Sequence, residues 1–93
     1  MAVDTRVRIG SIELSHAVMT ASGTSGHGAE LGAYFDLSRI GAVVVKSLSV
    51  MPWAGNPAPR LHPLPHGMIN AVGLQGPGVA AWFDDHLDVL ARR

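Results

Sequence analysis

The sequence predicts an α/β fold with parallel strands, and three observations predict it. Gly41 is followed by Ala42, Val43, Val44 and Val45, an unbroken apolar run in which three residues are β-branched. A run without alternation marks a short strand buried on both faces, the pattern of a parallel sheet. A second apolar stretch, Ala17-Val18-Met19-Thr20-Ala21, comes before it and stops at Ser22-Gly23. Between the two lie a glycine-rich loop and a segment of helical spacing, so the order is strand, loop, helix, strand. That connection has the length of a right-handed parallel crossover.

Composition bounds the rest. Ninety-three residues allow one small domain, and a chain of that size buries roughly 60–65% of its unfolded surface. Apolar residues make up 47% and charged residues 15%, which excludes a disordered tail. So little charge on so short a chain implies that much of its apolar surface is covered by something outside these residues. Seven basic and seven acidic residues cancel, against a nucleic-acid or anionic-membrane surface. The absence of cysteine removes disulfide and thiol chemistry from these residues. No signal-peptide core follows Met1 and no apolar run approaches membrane-spanning length, so the expected compartment is the cytosol.

In chain order, Arg6 to Leu14 alternates Val7, Ile9, Ile12 and Leu14 around Gly10-Ser11, which predicts a β-hairpin. The strand Ala17 to Ala21 follows. Gly23-Thr24-Ser25-Gly26-His27-Gly28 sits where phosphate cradles sit, after a strand and before a helix. Its glycines do not follow G-x-G-x-x-G and no P-loop lysine comes after them, so the expectation is a flexible active-site loop. Ala29 to Ile40 reads as a helix with Leu31, Tyr34 and Leu37 on one stripe and Gly41 at its stop. Residues 47–78 hold all six prolines and several glycines, a long loop with little regular structure. Trp53, Leu61, Leu64, Met68 and Ile69 argue against disorder there and suggest a shaped lid. Val79 to Leu90 reads as a helix with Val79, Trp82, Phe83, Leu87 and Leu90 inward and Asp84, Asp85 and Asp88 outward. Asp88 and Arg92 have the spacing of an i, i+4 ion pair.

A hairpin followed by about two βα units is the opening of a larger α/β architecture. A (β/α)8 barrel takes about 250 residues. The expected fold is therefore the N-terminal part of a (β/α)8 TIM barrel, incomplete as given. Lys46 stands directly after the apolar strand, at the carboxyl edge where such folds bind ligands. Taken alone it reads equally as the residue that returns the chain to solvent. The five histidines, His16, His27, His62, His66 and His86, have no metal-binding spacing and read as surface or loop residues; no metal is expected.

Four blocks carry a resemblance. They are Ala21-Ser22-Gly23-Thr24, Val43-Val44-Val45-Lys46-Ser47, Gly55-Asn56-Pro57-Ala58-Pro59-Arg60, and Gly67-Met68-Ile69-Asn70-Ala71-Val72-Gly73-Leu74-Gln75-Gly76-Pro77-Gly78. In this order and spacing they resemble the dihydroorotate dehydrogenases, class 1, most like the NAD-linked catalytic subunits of that family. The resemblance runs from about Val7 to Leu90. It departs at Ser15-His16-Ala17, where the family usually places Asn-Pro, a difference that touches entry into the first strand.

The resemblance implies that residues 1–93 are the N-terminal segment of a single FMN-binding TIM-barrel domain. That domain would oxidise dihydroorotate to orotate in pyrimidine (UMP) synthesis, with a base taking the C5 proton as hydride leaves C6 for the flavin. By resemblance Ala21, Ser22, Gly23, Lys46 and Ser47 contact the flavin, and Lys46, Asn70, Ala71, Val72, Gly73 and Leu74 hold the substrate. A fixed cation at Lys46 suits the negative charge of a reduced flavin. The Asn70 amide suits a ring of alternating carbonyl and N–H groups; read alone, it is first of all a turn cap, with Gly73, Gly76 and Gly78 as turn glycines.

The resemblance also implies a catalytic base, cysteine in class 1 or serine in class 2, on a loop beyond Arg93. It implies too a homo-oligomer at full length and a partner subunit carrying FAD and an iron–sulfur cluster. No catalytic base is expected within these residues, and alone they are expected to be inactive. Competing expectations are a related pyrimidine-oxidising flavoprotein barrel and a truncated, non-catalytic remnant acting only as an interaction segment.

Overall fold

The computed structural model describes residues 2–92. Strands β1 (Val7–Ile9) and β2 (Ile12–Leu14) form the expected antiparallel hairpin, with Arg8 opposite Glu13. Its turn needs Gly10, whose φ of 60° a side chain would disfavour.

The central parallel pairing is present and short. Met19 and Ala42 form a parallel bridge, flanked by Gly41 N–H to Val18 O at 2.7 Å and Thr20 N–H to Ala42 O at 3.2 Å. Neither segment makes a longer ladder, and Ala42 to Lys46 is half-buried where burial on both faces is expected. The cause is local: among the described residues Ala42 has one strand neighbour.

The expected helix Ala29 to Ile40 is instead two 3-10 helices, Ala29–Ala33 and Leu37–Arg39. Gly32 lowers helix propensity in the middle, and the Asp36 side chain accepts from Ser38 N–H at 3.0 Å, capping the second piece. The break leaves Tyr34 on the surface at 84% exposure, off the expected stripe, and turns Leu37 inward as the one buried apolar residue among those described.

Residues 47–78 are not the loop of little structure expected. They contain an antiparallel hairpin, β3 (Leu61–Leu64) and β4 (Gly67–Asn70), in register from Leu61 opposite Asn70 to Leu64 opposite Gly67. Pro63 is tolerated because a two-stranded ribbon has an outward edge where an N–H needs no partner. Every strand residue of this hairpin is exposed, so it stands off the body of the molecule. The segments flanking it close through a Trp53–Gly76 bridge, with N–H to O distances of 2.9 Å both ways.

The C-terminal helix forms as expected with one irregularity. Helix α1 (Val79–Trp82) runs through a π turn, Phe83–Leu87, into α2 (Asp88–Ala91). The π turn shifts the inward face, so Trp82, His86, Leu87 and Leu90 are half-buried while Phe83, expected inside, is 52% exposed. Asp88 and Arg92 lie 4.0 Å apart as the spacing predicts. The architecture is thus a small α/β unit with two hairpins and a single parallel bridge.

Candidate functional site

The first half of the site grows from the parallel bridge. Three hydroxyls hold the end of the 17–21 segment to the 42–46 segment. Thr20 Oγ1 accepts from Val44 N–H at 2.8 Å, Ser22 Oγ donates to Val45 O at 3.2 Å, and Ser25 Oγ donates to Thr20 Oγ1 at 3.3 Å. Lys46 N–H then donates to Gly26 O at 3.1 Å, fixing where the lysine leaves the strand. Its side chain folds back over Gly23, where a Cβ would sit 3.7 Å from Nζ. Ala21, Ser22, Gly23 and Lys46 are therefore brought together, with Ser47 exposed beside them. Among the described residues the Lys46 ammonium has neither an ion-pair nor a hydrogen-bond partner. A cation over a shelf of small residues is chemically suited to the edge of a flat anionic ring, and the residues present fit a flavin in that respect.

The second half is the 70–76 segment. Asn70 closes β4, and among the described residues its side-chain amide makes no hydrogen bond, so it does not cap the turn. Gly73 (φ 79°) and Leu74 (φ 60°) both adopt left-handed backbone, a conformation that costs a leucine about 1 kcal/mol or more. Both backbone groups of Ala71 are engaged: its N–H donates to Arg60 O and its carbonyl accepts from Asn56 Nδ2, each at 2.8 Å. The Val72 carbonyl accepts from Asn56 N–H at 2.9 Å. The N–H groups of Val72, Gly73 and Leu74, by contrast, have no acceptor among the described residues. An unpartnered amide beside three free N–H donors is an arrangement for an acceptor-rich ligand.

Asn56 and Arg60 do not stand among the expected site residues, although both lie in the Gly55–Arg60 block. Arg60 donates to Ala54 O at 3.1 Å and Asn56 O at 3.3 Å, and also pairs with the Gln75 side chain. The signal in the sequence is their place in the Gly55–Arg60 block, but nothing local says what they grip.

The two halves are joined through His27. Its carbonyl accepts from Trp82 Nε1 at 2.9 Å, and Cε1 of its ring would lie 3.9 Å from a Cβ at Gly76. His27 and His86 meet edge to face, 5.6 Å between centroids, with both Nδ1 atoms buried and without a hydrogen-bond partner among the described residues. His27 lies in a loop as expected, though half-buried; His86, half-buried in the C-terminal helix, departs from the surface-or-loop expectation, and His62 and His66 are exposed. Glu30 accepts from His27 N–H at 3.4 Å. Burial pushes its carboxyl upward, but backbone hydrogen bonds and the charges of His86 and His27 outweigh this and hold it below the usual range. Among the described residues no group of three or more His, Cys, Asp or Glu could hold a metal ion. No helix among the described residues is long and apolar enough to cross a membrane.

The sequence profile described as Dihydroorotate dehydrogenase matches residues 5–93. Over 85 residues the chain is 51% identical to the Dihydroorotate dehydrogenase B (NAD(+)), catalytic subunit, of Thermoanaerobacter pseudethanolicus, covering 91% of this chain and 28% of that one. A protein of the same name from Desulforudis audaxviator is 52% identical over 92 residues, 99% of this chain and 30% of the relative. A third, from Alkaliphilus metalliredigens, is 49% identical over 88 residues, 95% of this chain and 29% of the relative. The chain thus spans under a third of the length of the curated relatives it matches.

Proposed function

This chain belongs to the dihydroorotate dehydrogenase family, and from that premise we propose that it is the N-terminal segment of an FMN-binding (β/α)8 barrel. The barrel oxidises dihydroorotate to orotate in pyrimidine synthesis. The observation that carries this reading is the Lys46 ammonium, unpartnered among the described residues and folded over the Gly23 shelf at the end of the parallel-paired segment.

In this reading Ala21, Ser22, Gly23, Lys46 and Ser47 hold the flavin, which when bound supplies the hydride acceptor. The small shelf lets a planar ring approach the backbone. Lys46 places a fixed positive charge where negative charge develops, an interaction that costs no reorganisation at the moment of reaction. Asn70 to Leu74 orient the substrate. The Asn70 amide both donates and accepts, and the N–H groups of Val72, Gly73 and Leu74 suit its carboxylate and ring carbonyls. The base that takes the C5 proton belongs to residues outside this chain. The same reading carries a homo-oligomer, a cytoplasmic location, and a partner subunit with FAD and an iron–sulfur cluster.

The test uses a holoprotein in which this chain replaces the matching segment of the Thermoanaerobacter subunit. It should purify with FMN, bleach with dihydroorotate, and shift its flavin absorbance with orotate. Bound flavin that answers neither compound would overturn the substrate assignment. A chimera that is folded but colourless would overturn the flavin assignment.

A further inference from the structure

The geometry points to Asn56 as a positioning residue for the substrate, one that shapes the Asn70–Leu74 segment without touching the ligand. This rests on the substrate reading above and adds to it a residue outside the expected site. Asn56 grips the segment twice, with its side-chain Nδ2 on Ala71 O at 2.8 Å and its own N–H on Val72 O at 2.9 Å. Its amide also backs Gly73, where a Cβ would come within 2.8 Å of Asn56 Cγ. Two residues on the far side of that grip hold left-handed backbone, Gly73 at 79° and Leu74 at 60°. A leucine keeps such a φ only when its surroundings impose it, and Leu74 is 72% exposed, so its own side chain supplies little of that constraint. Asn56 is the residue that engages the carbonyls just before the turn. The N–H groups of Val72, Gly73 and Leu74 have no acceptor among the described residues and remain available to a ligand on the face that this grip sets.

The neighbouring residues explain why the grip forms. A Cβ at Gly55 would meet Val72 O at 2.3 Å, so only glycine lets the two segments come together. Arg60 holds the Asn56 carbonyl at 3.3 Å from the other side. Asn56 is fixed from behind and acts forward.

The test is an orotate titration of the holoprotein, read by the flavin absorbance shift, with FMN quantified separately. Asn56→Ala should keep its FMN and lose about tenfold in orotate affinity, the scale of one neutral hydrogen bond and its preorganisation. Combined with Asn70→Ala, its effect should be less than multiplicative, since both act on one segment. Asn56→Asp supplies a second, independent measure. As a carboxylate it cannot donate to Ala71 O, so affinity should be low at pH 7. It should recover only as pH falls below about 4, because the Arg60 guanidinium, which donates to the carbonyl of residue 56, favours the ionised carboxylate. A residue that only maintained the fold would show no such recovery. In the flavin-free protein, hydrogen exchange across 71–74 should quicken in Asn56→Ala. Unchanged orotate affinity in Asn56→Ala would overturn the assignment, as would loss of FMN from both variants, which would make Asn56 a folding residue. Failure of the parent reading shows separately, as a wild-type holoprotein blind to orotate.

Discussion

The two halves of the site are held together by the same means and present different chemistry. In residues 17–46 the hydroxyls of Thr20, Ser22 and Ser25 bridge two extended segments, and the side chain that results at the surface is a cation, Lys46. In residues 53–76 one amide and one guanidinium, Asn56 and Arg60, fasten a turn whose free groups are N–H donors. Apolar burial is shallow in both, since Leu37 is the single fully buried hydrophobic residue among those described and Val43 to Val45 are half-buried. The lesson is that each half uses polar side chains on backbone groups to preset one kind of charge. The first presents a full positive charge suited to a flavin edge, the second presents dipoles suited to a carboxylate and carbonyls. Bonds of this kind contribute about 0.5–1.5 kcal/mol each, enough to shape a surface and not enough to make a fold.

The largest expected effect follows from that last point. Separated from further chain, the 93 residues should show no cooperative two-state melt as a monomer. Met19, Val18, Leu61 and Ile69 are all at least 45% exposed, and the 17–21 and 42–46 segments each keep an unpaired edge. Scanning calorimetry on a chain shown to be monomeric by ultracentrifugation decides this; a sharp reversible transition would mean that polar bridges suffice.

Next in size is Lys46→Ala in the holoprotein. If the first half works by presenting one preorganised charge, turnover should fall by a factor of about 10² to 10³. The fold should persist, because the bridges at Thr20, Ser22 and Ser25 do not involve the ammonium. Turnover equal to wild type would reduce Lys46 to a strand end facing solvent and erase the contrast between the halves.

Asn70→Ala probes the other side of the contrast. FMN content should not change, and orotate affinity should fall about 5- to 150-fold, or about 1–3 kcal/mol, as buried polar partners on the ligand lose their mate. Asn70→Asp should be weaker still, because a carboxylate cannot donate and would face an anion. If both variants bind orotate normally, the 70–74 turn is only a turn.

How far these halves could be read from sequence depended on the range of the interaction. The β1–β2 hairpin and the C-terminal helix are written in local alternation and helical spacing, and both form where expected. The β3–β4 hairpin was hidden because Pro63 and Pro65 mark loops unless the strand has a free edge, which is a tertiary fact. The helix across 29–40 failed for a local reason the periodicity outvoted: Asp36 prefers to cap Ser38. Lys46 was visible from its place after an apolar strand, whereas its fold over Gly23 was not. Asn56 is visible in the sequence only as part of the Gly55–Arg60 block, since its two acceptors lie 15 and 16 residues downstream. The His27–His86 contact spans most of the chain and left no sequence signal.

A smaller effect tests the hydroxyl bridges themselves. Thr20→Val keeps shape and removes the acceptor of Val44 N–H, which has no other among the described residues. Leaving that donor unsatisfied should cost about 1–2 kcal/mol, read as a lower melting temperature of the holoprotein and weaker FMN retention. Thr20→Ser should restore both. Orotate affinity of the fraction that keeps its flavin should not move; a parallel loss there would show that the two halves are one mechanical unit.

The smallest expected effect lies at the joint between the halves. His27 belongs to the glycine-rich loop of the first, yet its ring approaches Gly76 of the second, and Glu30 receives its N–H at 3.4 Å. Burial raises the Glu30 carboxyl, but the backbone hydrogen bonds and the charges of His86 and His27 prevail and hold it below 4.5. A carboxyl whose folded value is depressed adds stability above its unfolded value, and that contribution disappears as pH falls through the folded value. Glu30 is exposed, so solvent screening limits the gain to a few tenths of a kcal/mol. Glu30→Gln retains an oxygen for the His27 N–H and removes only the charge. The melting temperatures of wild type and Glu30→Gln holoprotein should therefore differ by about a degree near pH 6. The difference should shrink to nothing as the pH falls well below 4, where wild type has lost the charge as well. A difference that persists unchanged into acid would place the effect in the shape of the amide, and the joint would then be held by hydrogen bonds to the backbone, as both halves are.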